Sequence, residues 1–195
     1  MTLRLRIAVL LIAAIAFTVW RSQLFVVGRP GEIPRPLRVR DTADRPASSF
    51  DVTLAQIPIG ARHLTERQGV MVIHYWAPWE RHSATQAAAL DSLSHLTELV
   101  GLATVVVCFD PFPSVTRYVA RQRLRLCVLL DHGHDLRRAL PCPSIPYTYV
   151  IDRHGNIAVA QEGEVDWLSP ATRTALRELL LEPIPVDLTS PLKGT

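Results

Sequence analysis

The sequence has no CxxC, CxxH or HExxH spacing, and only three cysteines (Cys108, Cys127, Cys142) among its 195 residues. Three is too few, and an odd number, for a disulfide framework; the missing spacings remove the common dithiol and zinc motifs. Lysine is nearly absent as well: Lys193 stands alone among 21 basic residues, a coding bias to which we attach no function. Basic charge is also missing where a nucleic-acid-binding fold would carry it. Residues 1–45 hold eight arginines against Glu32, Asp41 and Asp44, net +5, and the remaining 150 residues net −2. The basic arm lies outside the body, which argues against a nucleic-acid partner. No internal repeat is visible. At 48% hydrophobic, the chain suits one domain plus an appendage, with a core large enough to fold without disulfides.

Long apolar runs are confined to the start. Met1–Arg6 carries Arg4 and Arg6, and Ile7–Trp20 is apolar except for Thr18. A charged segment before such a run reads as an export signal or signal anchor. The run is shorter than the roughly 20 residues of a spanning helix, but Leu3 and Leu5 extend it if the arginines snorkel. We expect residues 1–22 to form an uncleaved anchor, single-pass in a bacterial inner membrane, with the body in the periplasm. Cleavage near Ala14-Ile15-Ala16, giving a free periplasmic protein, is the alternative.

Residues 23–49, rich in proline and arginine, read as an extended tether, residues 50–182 as the folded domain, and residues 183–195 as a flexible tail. Within the domain, Val70–Trp76 is apolar on both faces and predicts a buried parallel strand. Ala87, Leu90, Leu93, Leu96 and Val100 recur every three or four residues, predicting a helix over 83–100. A strand over 103–109, a helix over 115–124, a strand over 126–130 and a short helix over 135–140 follow. Strands over 147–152 and 157–161 flank the turn-rich Arg153-His154-Gly155-Asn156. Pro170 after Ser169 opens a closing helix that ends near Leu181. The expected class is α/β, a central mixed sheet flanked by helices.

Three segments together carry a family resemblance. VMVIHYWAPWERHS resembles the strand and W-A-x-W-C-x-x-C segment of the TlpA/ResA-type membrane-anchored thioredoxins. Ser144–Gly155 resembles that family's cis-proline loop, strand and D-R-x-G hairpin, with Pro146 as the proline. Gly163-Glu164-Val165-Asp166-Trp167 resembles the approach to its last helix. The resemblance covers about residues 50–182 and implies a thioredoxin-like fold with an inserted helix–strand unit. It also implies a groove in which Ile145 and Pro146, with Trp79, receive an extended peptide by strand addition.

The departure falls on the chemistry. Glu80 and Ser83 stand where the family has its two cysteines. Neither a carboxylate nor a hydroxyl undergoes thiol–disulfide exchange, so dithiol oxidoreductase activity is not expected. Glu80 reads as a helix-starting acid, as a fixed anion in the thiolate's place, or as an acid–base group. His82 reads as a first-turn residue; Glu80, His82 and Ser83 make no triad, because residues i and i+2 do not face each other. Partner binding is therefore expected to use Trp79, Glu80, His82, Ile145 and Pro146, and the partner to be an extracytoplasmic protein or extended peptide. An alternative is a monothiol oxidoreductase using Cys142, which lies in Pro141-Cys142-Pro143 near the same face. A third reading is a weak metal-binding module using His132 and His134. No cofactor and no resident metal are expected.

Overall fold

A computed structural model describes residues 33–183 and the two-residue strand β1 (Val26–Val27). The expected anchor and the tail from residue 184 onward lie outside the described residues. No helix among those described is long and apolar enough to cross a membrane.

The apolar run after Gly69 becomes β4 (Met71–Tyr75), buried at every position. Alternation splits its side chains between two cores. Val72 and the following Trp76 join Ala87, Leu90 and Leu93 of α1 (Arg81–Leu93) and Leu176 and Leu179 of α4 (Pro170–Leu181). Met71, Ile73 and Tyr75 join Phe50, Leu54, Leu136 and Leu140 on the other face. Each such Leu or Ile, fully buried, contributes about 1.5–3 kcal/mol before entropic costs. Helices thus cover both faces of one sheet.

That sheet has seven strands, in the order β3 (Ala61–Thr65), β2 (Asp51–Ile57), β6 (Cys127–Leu130), β5 (Ala103–Cys108), β4, β8 (Tyr147–Ile151) and β9 (Ile157–Glu162). β5 runs parallel to β4 and to β6. β8 lies antiparallel on the other side of β4, and β9 closes that edge. α2 (Phe112–Gln122) and α3 (Asp135–Ala139) complete the units between strands. β7 (Ser144–Ile145) stands apart and pairs with β1. The mixed sheet flanked by helices is as the sequence implies.

Three features depart from expectation. β2 and β3 form a hairpin that extends the sheet beyond β6. The first long helix stops at Leu93: Ser94 turns its hydroxyl onto the Asp91 carbonyl at 2.8 Å, and Thr97–Leu99 continues as a 3-10 turn. Val100, placed by periodicity on the apolar face, is instead 81% exposed.

The third correction concerns the tether. From residue 35 onward the segment is docked, extended except for a 3-10 turn at Thr42–Asp44. Arg35 bridges to Val165, Leu37 is buried and its N–H donates to Thr172 Oγ1 at 3.2 Å, and the Arg40 N–H donates to the Ala158 carbonyl. Arg45 places a buried guanidinium 3.0 Å from Asp152 Oδ2 and 2.9 Å from the Glu182 carboxylate. The folded unit therefore begins near residue 35 rather than at 50.

One buried ionisable group gives the fold a pH dependence. His74 is fully buried, its Nδ1 lies 2.9 Å from Thr148 Oγ1, and its ring meets Trp167 edge-on at 5.7 Å. Burial without a counter-charge holds its imidazole down at about 3, so it is neutral in the folded protein. The unfolded chain takes up that proton near pH 6.5 and the folded chain does not, so stability is lost as pH falls from about 6.5 toward 3. The loss between pH 7 and 5 is expected to be about 2 kcal/mol. Urea midpoints of wild type and His74→Leu across that range check it. The variant is expected to be flatter, and an equally steep fall in both would refute the assignment.

Candidate functional site

Register places the site. Tyr75 at the end of β4 pairs with Tyr147 at the start of β8, so the segment after β4 and the loop before β8 emerge at one end of the sheet. The first is Trp76–Glu80, leading into α1. The second contains Ile145 and Pro146, joined by a cis peptide. Gly163, at φ +86° where a side chain would be strained, donates its N–H to the Pro146 carbonyl at 3.0 Å. The loop after β9 thus packs against the same point.

Glu80 is the N-cap of α1. Its carboxylate accepts from the His82 N–H at 3.2 Å and from the Ser83 N–H in a short contact, satisfying two donors that a helix start leaves free. Ser83 is fully buried, and its Oγ accepts the Ala77 N–H at 2.9 Å. The side chains of Glu80 and Ser83 therefore clasp the turn around the helix start. Glu80 is only 7% exposed, its oxygens already engaged by the helix. Of its three readings, this geometry accords with the helix-starting acid.

His82 is part-exposed, and its Nδ1 lies 2.6 Å from Glu164 Oε1, an ion pair whenever the imidazole is protonated. Gln86 Oε1 accepts from the Val165 N–H at 2.9 Å, so the 163–167 loop is fixed to α1 at two points. Trp79 is 52% exposed, and its indole N–H donates to both carboxylate oxygens of Asp110 at 3.1 Å. Asp110 in turn accepts from the Cys108 thiol at 3.4 Å. An open cleft of about 460 Å³ lies between Trp79 and α2, with Asp110 and Tyr118 in its lining and Arg117 and Arg121 contributing positive charge. Sequence reasoning missed Asp110, Glu164 and the two cleft arginines. The only local signal was Asp110-Pro111 at a parallel strand's end, where a loop meets a helix start.

The remaining candidates are buried or already engaged. Ile145 is buried, not displayed on a groove wall. Cys142 is 2% exposed, and its thiol donates to the Ser144 carbonyl at 3.0 Å. Burial pushes that thiol up to about 12, with Arg137 pulling the other way, so the thiolate is scarce at neutral pH. Burial raises Cys108 and Cys127 likewise. His132 Nε2 is turned to the Asp110 carbonyl at 2.9 Å, and His134 packs against Phe109. Neither belongs to a cluster of three metal-binding groups among the described residues. The one such cluster, Asp152, His154 and Glu182, already faces the Arg45 guanidinium.

The fold and the paired loops at the strand ends define a thioredoxin-like protein. The chain belongs to the AhpC/TSA family, whose model matches residues 44–160. Among solved structures it is similar to StoA from Bacillus subtilis, at 16% identity and TM-score 0.57, covering 69% of this chain and 98% of that one. It is likewise similar to the thioredoxin domain of a thiol-disulfide oxidoreductase from Bacteroides vulgatus (10% identity, TM-score 0.58, 70% and 97% covered). A peroxiredoxin-like protein from Aquifex aeolicus also matches (13% identity, TM-score 0.55, 72% and 88% covered). At these identities the likeness establishes the fold. A search of curated proteins finds no significant match.

Proposed function

We propose that this chain is a membrane-tethered, extracytoplasmic thioredoxin-like protein that binds another protein and performs no dithiol–disulfide exchange. The observation that carries the reading is the clasp of Glu80 and Ser83: both positions needed for exchange hold oxygen side chains spent on capping α1. What stays available is a surface. Trp79, anchored through Asp110 and half exposed, presents an aromatic face at the cleft, the kind of rigid aromatic that dominates binding energy at interfaces. Ile7–Trp20 and the arginines before it support the anchor and the periplasmic side.

The monothiol alternative requires a reachable thiolate, and Cys142 is buried with its ionisation suppressed. The metal reading requires convergent ligands that His132 and His134 do not supply. The test is capture of partners by the full-length protein from its native membrane, with and without reductant, beside Trp79→Ala and Cys142→Ser. We expect a partner whose recovery ignores reductant, falls at least tenfold for Trp79→Ala and is unchanged for Cys142→Ser. A partner lost on adding reductant and absent with Cys142→Ser would replace this reading with the monothiol one.

A further inference from the structure

Resting on the binding reading above, we propose that the cleft between Trp79 and α2 is a site for an acidic peptide segment of the partner. Arg117 and Arg121 hold its carboxylates, and a neighbouring apolar side chain enters against Trp79 and Tyr118. The cleft, about 460 Å³, is of the size that takes a few side chains. Its positive charge is concentrated. Residues 111–130 contain no acid, and they carry Arg117, Arg121, Arg123 and Arg125, all exposed, on a body that is otherwise net negative. Arg45, Arg138 and Arg173 each pair with a carboxylate, whereas none of these four does so among the described residues.

The arrangement favours a peptide over a flat anionic surface. Arg117 and Arg121 are one turn apart, so they lie on the same face of α2, and both line the cleft. The Arg121 guanidinium carbon lies 6.0 Å from the centre of the Tyr118 ring, and that ring packs on buried Trp76 at 5.1 Å. The aromatic wall is thus fixed to the core, and a cation–π contact orients the arginine before a ligand arrives. Guanidinium groups take carboxylates in two parallel hydrogen bonds. The acid in the lining, Asp110, turns both oxygens to the Trp79 indole N–H, which leaves the ring face of Trp79 for the ligand. A concave site with aromatic walls and positive charge along one side fits an acidic residue beside a bulky apolar one. A bilayer surface does not enter it.

Titration of the full-length protein in uncharged detergent micelles tests this, with acetyl-Glu-Glu-Phe-Glu-Glu-amide beside its neutral isostere, in which glutamine replaces each glutamate. The indole N–H resonance of Trp79 reports occupancy. We expect the acidic peptide to shift it and to bind at least tenfold more tightly than the glutamine peptide, with the preference shrinking as salt screens the charges. Arg117→Gln/Arg121→Gln should remove the preference, while Arg177→Gln, a charge taken from an exposed position of α4, leaves it unchanged. An unshifted resonance at millimolar acidic peptide, equal binding of the two peptides, or a double variant that binds as wild type does would overturn the proposal. So would phosphatidylglycerol vesicles that bind through the two arginines while the peptides bind equally, which would give the patch to a lipid surface. The peptide readouts require no natural partner. Native capture lost with Trp79→Ala but kept by the double arginine variant refutes the acidic class alone. An intact peptide preference with capture indifferent to Trp79→Ala refutes the binding reading alone.

Discussion

Full-length Glu80→Cys/Ser83→Cys protein is expected to form an intramolecular disulfide and to gain measurable insulin-reducing activity where wild type has none. The two positions are the N-cap and third residue of α1, and the Glu80 carboxylate already reaches the Ser83 N–H, so they share one face a single turn apart. The first thiol would sit at the helix N-terminus, where its pKa should fall below the roughly 8.5 of a free thiol. Loss of the cap costs about 0.5–2 kcal/mol, and loss of the Ser83 acceptor for Ala77 about 1 kcal/mol more. A domain with about 5–15 kcal/mol of stability tolerates both. Mass spectrometry after alkylation scores the disulfide, and insulin turbidity scores the activity. A folded variant whose thiols never pair would show that Trp79–Ser83 lacks the redox family's geometry. The binding surface proposed around Trp79 would then be abandoned with it.

Arg45→Ala is expected to destabilise the domain by about 3 kcal/mol, the low end for breaking a buried ion pair because Glu182 keeps some contact with water. Asp152 is fully buried; its Oδ1 accepts the His154 and Asn156 N–H groups at 2.8 and 2.9 Å, and its Oδ2 depends on Arg45. Removing the guanidinium leaves that oxygen with an uncompensated charge inside the β8–β9 turn. It also unpins the 33–50 segment from α4. At a typical urea slope of about 1–3 kcal/mol per molar, the midpoint moves by a molar or more. Arg45→Ala combined with Asp152→Asn should recover part of the loss, since no bare carboxylate remains. A change below about 0.5 kcal/mol would return residues 33–50 to the status of a tether.

How much of this was legible in the sequence depended on how far apart the partners lie. β4 announced itself because both its faces are buried, and α1 because Ala87, Leu90 and Leu93 repeat at helical spacing. Glu80 was legible as a helix-starting acid, since capping is a local matter. β2 was not: only Leu54 and Ile57 of its seven residues are buried, a pattern too thin for an edge hairpin. Residues 33–50 misled because proline and arginine signal a tether by composition, whereas their anchors at Asp152, Ala158 and Thr172 lie more than a hundred positions away. Separation along the chain likewise hid Glu164 from His82 and β1 from β7. Charge and backbone pairings of this kind follow from topology and leave no local periodicity.

The most direct measurement of the central claim is insulin disulfide reduction by the unmodified full-length protein, with dithiothreitol as electron donor and a CxxC thioredoxin alongside. With Glu80 and Ser83 committed to the helix cap and all three cysteines held up by burial, turnover should not exceed the dithiothreitol background. Turnover comparable to the CxxC protein would contradict the account.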